Sequence, residues 1–156
     1  MNPVLVSRFH KAKLDLSKKH GFLLESMKPV LLFHGTSEQN MESILKTNFL
    51  VNKIGSSTDM GFYGKGFYFS EFPSLSISYS RGNPYLLICL GFVGKAFKMD
   101  NVNTGCPLNE GYDSHISPCG SEVVIFNPNH ILPCYKVKWA QVMKGGAHNY
   151  AHAPVY

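Results

Sequence analysis

Apolar and polar positions alternate along this chain in blocks that change period every dozen residues. In residues 5–20, Leu5, Phe9, Ala12 or Leu14, and Leu16 recur among lysines and an arginine. That helical spacing predicts a basic N-terminal helix within the first 25 residues, carrying one apolar stripe. Pro29 ends that segment, and the run VLLF at 30–33 reads as a buried strand. Thr36 stands three residues before Gln39, the spacing of a capping box. With Met41, Ile44 and Leu45 as an apolar face, this predicts a helix from Thr36 to about Asn48. Residues 52–61 are a polar Gly/Ser loop without a period, long enough to cover a site. The pattern then predicts strands at 67–69, 85–93 (the central one), 123–126 and 135–139, and a helix at 73–79. Asn127, Pro128 and Asn129 make a turn, and residues 100–120, with Gly105, Pro107, Gly111, Pro118 and Gly120, form a second irregular stretch. Residues 144–156 lack a buried pattern and read as a loose tail. With no internal repeats, the expected architecture is one α+β domain with its core at about 30–139.

Composition narrows the class. The chain has 156 residues, of which 44% are hydrophobic and 16% charged, the latter below the usual figure of about 25%. The 14 glycines and 9 prolines demand turns and short strands and exclude a coiled coil, a collagen or a helical bundle. A net charge of +5 favours anionic partners without being a nucleic-acid signature. No stretch has the length of a signal peptide or membrane span. Cys89, Cys106, Cys119 and Cys134 form no CxxC pair, so free thiols are expected. The expectation is an intracellular protein, cytoplasmic or nuclear and not secreted, acting as a monomer away from membranes. Cys106, His115 and Cys119 contain one familiar metal-ligand spacing but lack a fourth ligand, so no metal is expected.

Three segments put an ionisable or aromatic residue against a strand that should be buried: LFHGTS at 32–37, GKGFYFS at 64–70 and SEVVIF at 121–126. Alone, His34 reads as a hydrogen-bonded structural histidine, Tyr68 as core and Glu122 as a solvated strand-edge residue. The GKG piece lacks phosphate-loop spacing and leads into a strand. A carboxylate opening an apolar strand is costly if buried and unpaired, so Glu122 needs partners or a role.

Taken together and in order, these segments, with Asn40, SISY at 76–79 and the later Asn127-Pro128 and YKV at 135–137, resemble the catalytic domain of the poly(ADP-ribose) polymerase-like ADP-ribosyltransferases. The resemblance runs from about residue 30 to 137. It implies the ADP-ribosyltransferase-type fold of mainly antiparallel split β-sheets with short flanking helices. It also implies that His34, Tyr68 and Glu122 form a His-Tyr-Glu catalytic set acting on NAD+. Tyr68 and Tyr79 would stack on the nicotinamide ring, while Gly35 and Ser76 would hold its carboxamide. His34 would bind ribose hydroxyls, and Glu122 would orient the 2′-hydroxyl and stabilise the developing cation. Thr36 and Asn40 would contact the adenosine ribose, residues 52–60 would line the donor site, and Tyr63, Lys65 and Phe67 complete the expected NAD+ contacts.

With 33 residues before His34, the helical regulatory domain of some members is not expected here. Residues 99–120 hold Asp100, Glu110 and Asp113 but no lysine or arginine for a second pyrophosphate. Transfer of single ADP-ribose units is therefore expected, to a protein or a nucleic-acid acceptor. Glu122 argues the other way, because chain elongation needs that carboxylate. The competing readings are a poly-ADP-ribosylating enzyme, a non-catalytic NAD+ or ADP-ribose-binding module, an RNA 2′-phosphotransferase and an unrelated basic RNA-binding domain. The last two lack their own motifs here.

Overall fold

Helix α1, Pro3–His20, starts where sequence chemistry allows it. The Asn2 side chain accepts from the Val4 amide at 3.0 Å and Pro3 occupies the first turn. Lys18, Lys19 and His20 meet the negative end of the helix dipole, and Gly21 closes it in left-handed backbone. Its buried stripe is Leu5, Phe9, Ala12 and Leu16; Leu14 is exposed. The stripe packs on Met27, Phe92 and Leu132, with the Phe9 and Phe92 rings stacked at 4.3 Å. Each large side chain so covered contributes about 1.5–3 kcal/mol.

The computed structural model describes residues 1–55 and 60–140, so the expected tail at 144–156 lies outside the described residues. After α1 come β1 (Val30–His34), α2 (Glu38–Thr47), β2 (Phe67–Phe69), α3 (Pro73–Ser78), β3 (Tyr85–Gly91), β4 (Ala96–Lys98), β5 (Ser114–Ile116), β6 (Val123–Ile125) and β7 (Ile131–Lys138). One sheet has the order β1-β3-β7, all antiparallel, with Phe33 opposite Ile88 and His34 opposite Leu87. The other has the order β2-β6-β5-β4, antiparallel except for the parallel pair β4–β5. Phe33 and Ser70 exchange both backbone hydrogen bonds, at 2.8 and 3.1 Å, and join the sheets. Leu32, Met41, Phe49, Phe67, Phe69, Leu87, Cys89, Val123, Ile125 and Ile131 form the core.

The structure corrects three boundaries. The cap of α2 is Ser37, whose hydroxyl accepts from the Asn40 amide, and not Thr36. The Thr36 carbonyl is held by the Asn83 side chain at 3.0 Å, which keeps Thr36 outside the helix. Residues 100–120 are not wholly irregular, since β5 pairs there with β6 and β4. Strand β7 begins four residues before Tyr135, passing through Pro133, which an edge strand beside a bulge tolerates.

Asp113 counts with the acidic residues of the 99–120 stretch. Its buried carboxylate accepts from Lys19 Nζ (2.6 Å), His20 Nε2 (2.6 Å) and the Lys95 amide (2.8 Å), pinning the end of α1. Burial alone would raise this carboxyl, but these donors outweigh it and hold the pKa below the ordinary value. The folded-state pKa is depressed, so the stabilisation is present above the unfolded pKa near 3.9 and is lost as pH falls through the lower folded value. Asp113→Asn is expected to cost about 2–3 kcal/mol at neutral pH, or roughly 5–10 °C in Tm. Below the depressed folded-state pKa the variant and wild type should converge. Equal Tm values at pH 7 would remove the anchor role.

Candidate active site

Strand β1 leaves the core at His34 and the chain must then pass directly under the end of α3. An ideal Cβ on Gly35 would lie 1.8 Å from the Ser76 carbonyl oxygen, a distance only glycine avoids. Ser76 is buried and donates its hydroxyl proton to the Phe33 carbonyl at 3.0 Å. The amide backbone at Gly35 and the Ser76 hydroxyl thus come together by close packing of two backbones.

His34 reaches across to the other sheet. Its Nδ1–H donates to the Tyr68 carbonyl at 2.8 Å, so Nε2 is the acceptor nitrogen. The ring lies edge-on to Phe49 at 5.0 Å and beside Phe69 at 5.5 Å. Desolvation in this setting lowers its pKa, against the opposing effect of the Tyr68 carbonyl. At neutral pH His34 is a neutral ring with a fixed tautomer.

Tyr68, on β2, is held at its hydroxyl, which accepts from the Tyr63 amide at 2.8 Å and donates to the Gly64 carbonyl at 2.9 Å. Tyr79 follows α3, and its hydroxyl donates to Glu122 Oε1 at 3.3 Å. Glu122 enters β6 with its amide bonded to Ser117 Oγ at 3.0 Å. The carboxylate therefore has a hydroxyl partner, and the two tyrosines sit on neighbouring elements. Asn40 donates its side-chain amide to Thr36 Oγ1 at 3.1 Å across the first turn of α2.

One open cavity of about 450 Å³ gathers these groups, within the usual range for small-molecule sites. His34, Gly35, Thr36, Asn40, Phe67, Tyr68, Ser76, Tyr79 and Glu122 all line it, and Lys53, Ile54 and Gly55 line it from the polar loop. The rest of that loop, residues 56–59, lies outside the described residues. Two expected contacts are not brought in. Tyr63 and Lys65 do not line this cavity: the Tyr63 carbonyl accepts from His115 Nδ1, and the Lys65 amide bonds the Cys106 carbonyl. Tyr63 instead supports Tyr68, while desolvation and then the nearby Glu122 charge raise its own pKa.

Several lining residues were not anticipated, among them Asn48, Phe49, Leu75 and Arg81. Arg81 had a signal, standing two residues beyond Tyr79 at a Gly-Asn turn, yet its charge alone does not place it in a wall. Among the described residues no three His, Cys, Asp or Glu side chains converge. Both ring nitrogens of buried His115 are taken, Nδ1 by Tyr63 and Nε2 by the Asn109 amide. Cys119 is exposed, and hydrogen bonds first from Ser121 and then Ser117 lower its thiol to about 7.

Residues 3–122 match the family model described as the poly(ADP-ribose) polymerase catalytic domain. The chain is 33% identical over 132 residues to mouse protein mono-ADP-ribosyltransferase PARP4, covering 70% of this chain and 7% of that protein. The human protein of the same name is 33% identical over 158 residues, covering 86% and 9%. A Caenorhabditis elegans poly [ADP-ribose] polymerase tankyrase is 31% identical over 75 residues, covering 46% and 3%. The chain thus spans less than a tenth of the length of the curated relatives it matches.

Proposed function

This chain belongs to the poly(ADP-ribose) polymerase catalytic-domain family, and from that premise we propose that it transfers single ADP-ribose units from NAD+ to an acceptor with release of nicotinamide. The observation that carries the reading is the meeting of His34, Tyr68 and Glu122 with Gly35, Ser76 and Tyr79 around one cavity. The mouse and human relatives are named mono-ADP-ribosyltransferases, which supports the same chemistry.

Each group has a role that its environment suits. The nicotinamide ring stacks between Tyr68 and Tyr79. Its carboxamide meets the Gly35 backbone and Ser76 Oγ, whose lone pairs remain available because its proton goes to Phe33. Neutral His34 accepts from a ribose hydroxyl at Nε2. Glu122 takes the 2′-hydroxyl of the same ribose, and its charge counters the oxocarbenium-like cation that forms as the glycosidic bond lengthens. The acceptor nucleophile then bonds to that anomeric carbon as nicotinamide leaves with the bonding pair.

Single-unit transfer rests on residues 99–120, which hold no lysine or arginine to meet the pyrophosphate of a growing chain. Asp113 is occupied with α1, leaving Asp100 and Glu110 as the free acidic charge there. The test is incubation with NAD+ labelled in the adenylate, with and without added protein or nucleic acid. Labelled acceptor should migrate as a discrete band on a denaturing gel. A ladder removed by a chain-cleaving hydrolase would favour the elongating reading that Glu122 supports. Absence of label on any acceptor, with NAD+ bound but intact, would leave a binding module.

A further inference from the structure

The charged side chains lining the donor cavity among the described residues are Lys53, Arg81 and Glu122. Glu122 lies with the tyrosines of the ring slot, so the cations fall to the rest of the wall. Arg81 stands in left-handed backbone at φ 53°, followed by Gly82 at 79°. The Asn83 amide closes this turn on the Ser80 carbonyl at 3.0 Å. Two successive positive φ values in a closed four-residue turn suit Asn-Gly or Gly-Gly, and an arginine at the first position is strained.

The turn is nevertheless clamped against the cavity. The Asn83 side chain donates to the Thr36 carbonyl at 3.0 Å and accepts from the Tyr85 amide at 3.2 Å. Trp139 Nε1–H donates to the Asn83 carbonyl at 3.2 Å. Among the described residues no carboxylate lies within ion-pair distance of Arg81. An arginine kept at a strained turn on the cavity wall, with no carboxylate in ion-pair reach among the described residues, is suited to an external oxyanion. Its planar fork matches a phosphate. The turn also sits between the ring slot, through Tyr79 and Ser80, and the Thr36–Asn40 pair, the interval that a diphosphate joining two riboses must cross.

We propose that Arg81 is a positioning residue for the donor diphosphate. This rests on the NAD+ reading above. The test compares Arg81→Gly and Arg81→Lys with wild type in the full chain, measuring binding of NAD+, ADP-ribose and nicotinamide by calorimetry and the Tm of each free protein. Arg81→Gly should raise Tm, because the turn is relieved, while weakening NAD+ and ADP-ribose about 10-fold or more and leaving nicotinamide unchanged. Arg81→Lys should recover part of that affinity and keep its salt dependence. The clamp is overturned if Arg81→Gly binds NAD+ within two-fold of wild type, or if nicotinamide weakens as much as NAD+. Wild-type protein that binds nicotinamide but neither NAD+ nor ADP-ribose overturns the donor reading and the clamp with it. If wild type binds NAD+ tightly and only the variant result fails, the donor reading stands alone.

Discussion

Glu122→Gln is expected to slow nicotinamide release from NAD+ by about 10²-fold with little change in NAD+ affinity. Glutamine keeps the shape and a carbonyl oxygen, so the Tyr79 hydroxyl that now donates to Oε1 at 3.3 Å retains an acceptor. The Glu122 backbone, bonded to Ser117 through both its amide and its carbonyl, is untouched. What disappears is a full negative charge, and that charge matters most when the ribose becomes cationic. An interaction made mainly in the transition state lowers kcat and kcat/KM together. Initial rates over a range of NAD+ concentrations, with a separate binding titration, measure both quantities. Turnover near wild type would take Glu122 out of the chemistry, and an equal loss in binding would make it a ground-state contact.

Gly35→Ala should be the most damaging single methyl in the molecule. The added carbon meets a backbone carbonyl at 1.8 Å and the Ser80 amide nitrogen at 3.1 Å, neither of which can rotate away. Relief requires shifting the end of α3 from β1, breaking the Ser76–Phe33 hydrogen bond and displacing Tyr79 from its neighbour Glu122. Overpacking of this kind costs about 3 kcal/mol or more, or roughly 6–12 °C in Tm for a domain of this size. Nicotinamide binding should fall below detection in the same variant, since both proposed carboxamide contacts move. Gly111→Ala is the control: its position is open and does not line the cavity, though its φ of 80° is also left-handed. That variant should lose about 1–2 kcal/mol from backbone strain and still bind nicotinamide. If Gly35→Ala retains wild-type nicotinamide affinity, the packing of Gly35 on Ser76 does not build the ring site.

The legible parts of this site are those where a motif and a strand end coincide. His34 terminates an apolar run, Tyr68 interrupts an aromatic one, and Glu122 opens a third, so each could be placed on an element and then in the cavity. Strands β4 and β5 were not legible because three residues carry no period; their pairing is imposed by β6 and by each other. Thr36 and Ser37 are equally good caps by local chemistry, and a side chain 47 residues away decides between them. Arg81 was missed for a related reason. A charged residue is marked as part of a wall only by the fold that brings residues 34–55 and 66–81 around the same space. Tyr63 beside the motif and Lys65 within it show the converse: neither lines the cavity wall.

The Phe33–Ser70 pair of backbone hydrogen bonds has a further effect on how the proposed site stays assembled. His34 belongs to one sheet while Tyr68 belongs to the other and Glu122 leads into it, and the seam between them passes one residue from His34 and two from Tyr68. The bond that fixes the His34 tautomer, from Nδ1 to the Tyr68 carbonyl, crosses that same seam. If the two sheets part locally, each can keep its own ladder while the imidazole loses the partner that sets which nitrogen carries the proton. The competent fraction is then governed by a sub-global opening cheaper than unfolding. The proposed activity should therefore fade on warming well before the melting transition, and the protonation pattern of one ring reports whether the two halves are in register.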